Sequence, residues 1–343
     1  MDLNHSVETN DPESDSVSRR RQAFRPRKVM TKRASSQELD LRDSGAHHGE
    51  RAQVISPYVC RLRLARELAG FRKRAGLTHE ALARKSGESK PKISRLENGH
   101  LRPAVDDVLA IAEALNISPD ETAMLRTLTE GAAQRGWWEK QARDMGRRQA
   151  AIADLEQGAA TIREYTTFVP GLLQTSDFMR AIAQHDDLVL AGDGHFEPSA
   201  MVRARATRQR MLRLPGGPSY ETIIDELVLR RPTAPPGILA EQLRHLAKVA
   251  QDDVIVRVLP IGAILHNYRV PNSAFTLYTY PDPTDPVIAS VDTVTSDIVL
   301  ADVGEVAQYE RLWNRLREAA LSPEDSVDLL TEAAADLERT IRS

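Results

Sequence analysis

Residues Thr78 to Arg102 read THEALARKSGESKPKISRLENGHLR, and the placement of small, apolar and glycine residues in this stretch decides the fold of the N-terminal half. Two short helices crossing at roughly 90–120° approach closely only under three conditions: a small residue at the crossing, a turn that accepts a left-handed backbone, and a second helix that buries its inner face. Ala83, Gly87, Ile93 and Leu96 fall at those places. Thr78 is positioned to cap the first helix, with Glu80 and Ala81 in its first turn and Leu82 pointing inward. Ser89 is positioned to cap the second. Pro91 falls in that helix's first turn, where backbone N–H groups have no intrahelical partner. Asn98-Gly99 supplies a stop, because both residue types accept positive φ at a helix C-terminus. The pattern implies a helix-turn-helix, and that motif implies double-stranded DNA as the partner.

Charge points the same way. From Tyr58 to Pro103 there are 12 Lys and Arg against 4 Asp and Glu, a net of +8 in a chain whose total is −3. The first 57 residues carry +1, which leaves −12 from Ala104 onward. A basic module joined to an acidic one suits a phosphate-facing domain, since phosphate contacts supply most nonspecific affinity.

The segment Phe71 to Leu115 resembles the five-helix domain of phage repressors and of xenobiotic-response-element-like (XRE) regulators. The likeness rests on Arg72 and Gly76-Leu77-Thr78, Glu80-Ala81-Leu82-Ala83, Ile93-Ser94-Arg95-Leu96-Glu97-Asn98-Gly99, Arg102-Pro103, and Leu109-Ala110-Ile111-Ala112-Glu113-Ala114-Leu115. It implies a structural ion pair between Arg72 and Glu97 beneath the recognition surface. It also places Lys90, Pro91 and Arg95 on the base-reading face of a third helix spanning about 89–98, with Ser89, Lys92 and Ser94 beside them. Asn98 and Arg102 complete the expected DNA-binding set. An arginine reaches guanine O6 and N7 with two hydrogen bonds, worth about 1–3 kcal/mol of discrimination. His79 stands where that family usually has a phosphate-bonding glutamine, and Glu88 where an apolar residue is common. A carboxylate at position 88 weakens binding unless a neighbouring lysine pairs with it. One helix-turn-helix reads only a half-site, so a homodimer on a palindromic operator is expected.

Length and composition set the outer bounds. A chain of 343 residues accommodates two or more domains, and 41% hydrophobic residues suffice for real cores. The single cysteine, Cys60, excludes an internal disulfide and a cysteine metal cluster, which suits a reducing compartment. No apolar run approaches the ~20 residues of a membrane span, and the N-terminus has no signal-peptide apolar region. A cytoplasmic protein, nucleoid-associated when bound to DNA and without a membrane partner, is expected.

Residues 1–55 are polar and charged with little apolar periodicity, the composition of a disordered tail, and Met30 is a candidate for the natural start. Residues 56–117 form the DNA-binding domain and 118–160 a helical connector. Ser118 starts a capped helix there, and a second helix runs from about Glu139 to Glu156. Trp137-Trp138 reads either as interdomain core or as a partner surface. Residues 161–343 read as an α+β domain. An extended segment near Ile162 to Tyr165 and Phe168-Val169 leads into a turn and a helix capped by Thr175 or Ser176. A helix from Met201 to Leu212 carries Arg203, Arg205, Arg208 and Arg210, with Arg213 just beyond, and reads as a solvated helix with intramolecular ion pairs. Strands are expected at Tyr220 to Asp225, Val254 to Leu259, Ser273 to Tyr280, Val287 to Asp292 and Asp297 to Leu300, forming a small, mostly antiparallel sheet. A helix separates the first two, and two long helices end the chain.

Five phrases of this half resemble the domain that follows the helix-turn-helix in Scr1-like or WhiJ-like regulators, an antitoxin-like actinobacterial group. They are Ile162-Arg-Glu-Tyr, Val169-Pro-Gly-Leu-Leu-Gln-Thr, Asp225-Glu226 with Leu229-Arg-Arg-Pro232, Val258-Leu-Pro260, and Ala319-Ala-Leu-Ser-Pro323 with Ser326. The resemblance implies transcriptional control and a small acidic partner protein encoded nearby. The competing input is a small-molecule effector in a pocket lined by His266, Tyr268, Tyr278 and Tyr280, whereas an apolar patch near Trp137 and Trp138 would serve a protein partner. Glu164, Asp225, Glu226 and His266 are candidate acid or base groups. No nucleophile elbow, phosphate-cradling glycine loop or metal-ligand motif accompanies them, so no enzyme, cofactor or metal is expected. Asp225-Glu226 reads more simply as a satisfied turn or a helix cap.

Overall fold

Pro57 opens the first helix, α1 (Pro57–Arg74), because the Ser56 hydroxyl caps it, accepting from the Val59 N–H at 3.2 Å. The computed structural model describes residues 56–183, 198–251, 254–265, 270–293 and 297–342; the tail expected over 1–55 lies outside them. Leu64, Leu68 and Phe71 follow at helical spacing and are buried. They meet Leu82 of α2 (His79–Ser86), Ile93 and Leu96 of α3 (Lys90–Glu97), Val108 and Ile111 of α4 (Val105–Ala114), and Leu125 of α5 (Pro119–Ala133). Burial of each such side chain contributes roughly 1.5–3 kcal/mol. Helix α5 starts in a capping box, the Ser118 hydroxyl accepting from the Glu121 N–H while the Glu121 carboxylate accepts from the Ser118 N–H. It packs along α1, so a fifth helix joins the N-terminal bundle within the stretch read as connector.

The helix expected from about Glu139 to Glu156 is two helices, α6 (Trp137–Met145) and α7 (Arg147–Glu156). Gly146, at φ 84° and ψ 148°, breaks it in a backbone conformation that glycine alone adopts without strain. Trp138 is buried with Ala150, Ala153 and Ala204, and Trp137 meets it edge-on at 6.0 Å.

The C-terminal domain is α+β, built on a six-stranded mixed sheet in the order β3-β2-β1-β4-β5-β6. The strands are β1 (Thr161–Thr166), β2 (Ser219–Asp225), β3 (Val254–Leu259), β4 (Phe275–Thr279), β5 (Ile288–Asp292) and β6 (Asp297–Leu300). All five strands expected beyond Pro218 form, and the extended segment before them is the sixth. Phe168-Val169 lies past the end of β1. Three of the five ladders are antiparallel; β1–β2 and β2–β3 are parallel. Long helical crossovers make the parallel pairs possible. The chain between β1 and β2 contains α8 (Ser176–Ala183) and α9 (Pro198–Leu212), and that between β2 and β3 contains α10 (Leu227–Arg230) and α11 (Pro236–Val249). Thr175 caps α8 through its hydroxyl, at 3.2 Å from the Phe178 N–H.

Strand alternation sorts the side chains onto two faces. One face sends Ile162, Tyr220, Ile224, Val258 and Ile288 against Leu239, Leu243 and Leu246 of α11 and Leu330 of α13 (Pro323–Arg342). The other sends Tyr165, Ile223, Phe275, Leu277 and Val291 against Trp313 and Leu316 of α12 (Val303–Ala319). Helices thus cover both faces. Among the described residues, no helix is long and apolar enough to cross a membrane.

The start of α1 is fastened to the C-terminal half. Asp154 of α7 accepts from the Ser56 hydroxyl at 2.9 Å and the Tyr58 N–H at 3.2 Å, and pairs with Arg61 at 3.4 Å. Arg63 pairs with Asp285 in the β4–β5 connection, and Val59 is part of the sheet's own core.

Candidate nucleic-acid interface and polar cavity

The turn between α2 and α3 is made by Gly87, left-handed at φ 77°, whose N–H closes α2 on the Ala83 carbonyl at 3.0 Å. Ser89 caps α3, its hydroxyl accepting from the Lys92 N–H at 3.3 Å, and Thr78 caps α2 through the Ala81 N–H at 3.1 Å. Of the Asn98-Gly99 stop, only Gly99 takes positive φ; Asn98 instead donates its side-chain amide to the Ser94 carbonyl at 2.6 Å. Ile93 and Leu96 face the core, leaving Lys90, Pro91 and Arg95 exposed on the opposite side and Lys92 and Ser94 half-buried.

Beneath that face Arg72 and Glu97 form a two-pronged pair at 2.7 and 2.8 Å, with side chains only 11% and 6% exposed. The hydrogen bonds to Glu97 hold the guanidinium's pKa above its ordinary value, and Arg72 also donates to the Leu77 carbonyl at 2.8 Å. The His79 ring nitrogen lies 3.1 Å from the same Glu97 carboxylate. Glu88 has its neighbouring lysine, since Lys92 sits 2.9 Å from it and 2.6 Å from Asp107. Lys90 pairs with Glu80, and Arg102 with Glu139 of α6. Arg95 is exposed on the same face.

A second constellation lies where α7 and α9 cross the sheet. There the inner face turns polar: Glu164 and Thr166 on β1, Thr276 on β4, and Ser290 and Asp292 on β5 stand where apolar residues stand elsewhere. They floor a cavity of about 290 Å³. Arg148, Gln149 and Glu156 enter from α7, and Arg205 and Arg208 from α9. Arg208 and Glu156 form a bidentate pair at 2.8 and 2.5 Å, with side chains 6% and 3% exposed. Burial works against the guanidinium's charge, but Glu156 outweighs it and raises the pKa. Arg148 bridges Asp292 at 3.1 Å and Asp297 at 2.8 Å, and Arg205 donates to the Gln174 amide oxygen. Glu164 accepts from the Tyr220 hydroxyl. Burial pushes its carboxyl up to about 7; the Tyr220 bond pulls the other way and Asp292 adds to the rise.

A family described as a domain of unknown function (DUF5753) matches residues 149–332, more than half of the chain. The chain belongs to that family. A helix-turn-helix domain family matches residues 63–125, which span α2 to α4 with most of α1 and the first half of α5. No curated protein matches the chain, and no solved structure does. The DUF5753 match begins within α7, the helix that both walls the cavity and binds α1 through Asp154.

Of the four pocket residues expected in the DUF5753 domain, Tyr278 and Tyr280 are among the described residues. Tyr278 lines the cavity, but Tyr280 turns away and donates its hydroxyl to the Leu155 carbonyl at 2.8 Å. His266 and Tyr268 lie outside the described residues. Trp137 and Trp138 belong to the alanine-lined cluster with α7 and α9, and Trp138 is only 4% exposed. The arginine helix also differs from expectation. Arg203, Arg210 and Arg213 are exposed, whereas Arg208 is buried and Arg205 half-buried, both facing the cavity, because the α9 stripe that carries them packs toward α7 and the sheet. Asp225 and Glu226 make a satisfied turn, accepting from the Leu227 N–H at 3.0 Å and the Ile261 N–H at 2.9 Å. The signal for the cavity was the polar run Glu164-x-Thr166, Thr276-x-Tyr278 and Ser290-x-Asp292 on strand positions that face helices.

Proposed function

We propose that this protein is a sequence-specific transcriptional regulator that binds a palindromic operator as a homodimer, α3 reading the major groove and the DUF5753 domain receiving the signal. The observation that carries this reading is the exposed Lys90-Pro91-Arg95 face of α3, held from behind by the buried Arg72–Glu97 pair. The likeness of the C-terminal phrases to WhiJ-like regulators supports developmental or antibiotic-production control as the context. The domain acts by binding, without catalysis, in the cytoplasm.

For the input, the cavity favours a small-molecule effector over the small acidic partner protein. The tryptophan pair that would have marked a docking surface has its second member in the core. Recovery of a stoichiometric small protein with the regulator from its host would reverse that preference.

Sites mapped across the host genome, followed by fluorescence anisotropy on an occupied site, test the DNA assignment. Arg95→Ala is expected to lose about 1–3 kcal/mol of discrimination at one base pair while leaving thermal stability unchanged. Lys92 is already shared between Glu88 and Asp107, so Lys92→Ala is expected to alter the salt dependence less than Lys90→Ala. Wild-type affinity and salt slope in both Arg95→Ala and Lys90→Ala would remove α3 from the groove.

A further inference from the structure

The two walls of the cavity carry opposite chemistry. Its floor is the sheet, which offers the carboxyls of Glu164 and Asp292 and the hydroxyls of Thr276 and Ser290. The helices above bring guanidinium groups, Arg205 and Arg208 from α9 and Arg148 from α7. Three arginines face the carboxyls of Glu164, Asp292 and Glu156, with Asp297 behind Arg148 as a fourth. Desolvating a charge without a partner costs several kcal/mol, so each charge of an occupant needs an opposite charge beside it. A molecule with one charge of each sign meets a complementary group on either wall.

Size narrows the choice further. At about 290 Å³ the space lies at the lower limit of the roughly 300–1,000 Å³ typical of small-molecule sites. A nucleotide needs more room, and its phosphates would need a surplus of positive charge that this lining lacks. An apolar effector would leave the carboxyls and guanidiniums facing it without hydrogen-bond partners in the ligand.

We propose that the cavity between the sheet and helices α7 and α9 binds a small zwitterion carrying a carboxylate and a protonated amine, a free amino acid or a dipeptide. The ligand's carboxylate meets the arginines of the helical wall and its amine meets Glu164 and Asp292 on the sheet. This deepens the small-molecule reading of the input given above and rests on it, but not on the assignment of α3 to DNA.

The test is isothermal titration calorimetry on the full chain without DNA. The probes are the twenty common L-amino acids, a set of dipeptides, and for each binder its N-acetylated and C-amidated forms. At least one zwitterion is expected to bind with one site per chain. Each capped form should bind about ten- to hundredfold more weakly, the worth of one hydrogen bond to a charged group. Glu164→Gln, which keeps the side-chain shape and a partner for Tyr220, should weaken the zwitterion by a similar factor while circular dichroism stays as in wild type. Thr276→Val, an uncharged change on the same floor, should weaken it less. The proposal is overturned if no probe binds at millimolar concentration, if capped forms bind as tightly as the zwitterion, or if Glu164→Gln binds as wild type does. Because no DNA is present, failure of the operator assignment would leave each of these results unchanged.

Discussion

Replacing Arg208 by methionine removes a cation that Glu156 contacts through two hydrogen bonds in a site where both side chains are almost fully enclosed. The methionine fills most of the volume, so the main loss is electrostatic. Glu156 is left buried without its partner, and Gln149 loses the donor to its amide oxygen. Breaking a buried pair from one side costs about 3–5 kcal/mol. At about 2–4 °C per kcal/mol for a domain of this size, the melting temperature should fall by roughly 6–20 °C. Removing both charges, Arg208→Met with Glu156→Leu, should restore most of the stability, since replacing a whole buried pair with apolar residues is neutral or stabilising by about 1–4 kcal/mol. Urea unfolding followed by circular dichroism measures all three proteins. A single variant within about 1 kcal/mol of wild type, or a double variant no better than the single, would refute the assignment of Arg208 and Glu156 as a desolvated pair.

Three further outcomes follow from the geometry. Gly87→Ala meets no atom within 4 Å but must hold φ 77°, so it should cost about 1–2 kcal/mol in thermal unfolding, and Gly87→Asn less. Glu97→Ala strands Arg72 at the base of α3. A loss of about 3 kcal/mol, the low end for a broken buried pair, should appear in unfolding together with weakened operator binding in anisotropy. Glu164 has a folded pKa of about 7, above its ordinary value of 4.5, so its contribution is full below pH 4.5 and lost as pH rises through 7. Stability of the wild type measured across that window should therefore decline relative to Glu164→Gln, and parallel pH profiles would contradict the burial of that carboxyl.

The helix-turn-helix was legible because its determinants are local. A cap needs one hydroxyl at one position, a left-handed turn needs one glycine, and Thr78, Gly87 and Ser89 each act within four residues of their partners. The strands were legible through alternation, and so was the α+β class. The parallel pairing of β1 with β2 and β2 with β3 was not, because pairing direction depends on crossovers that leave no mark on a strand's own residues. Gly146 was visible as a letter, but only its backbone angles show that it splits one amphipathic pattern into two helices. The cavity was the least legible part. Glu164 stood out as a candidate ionisable group, yet its neighbours Thr276 and Ser290 reach it only through strand register, and Glu156 and Arg208 meet across 52 residues of chain. Arginine at helical spacing reads as solvent-facing until the packing of α9 is known.

Helix α7 is shared property. Arg148, Gln149 and Glu156 form part of the cavity's wall, while Asp154, on the same ten-residue rod, grips the first turn of the helix that leads into the helix-turn-helix half. An occupant that resets the tilt of this rod alters the seat of α1, and thermodynamic linkage then runs in both directions. Whatever factor the occupant applies to operator affinity, the operator must return to the occupant. On the proposed function, a cell crowded with target sites would therefore hold the protein at a different set-point from a cell with one, the DNA itself becoming part of what sets its occupancy.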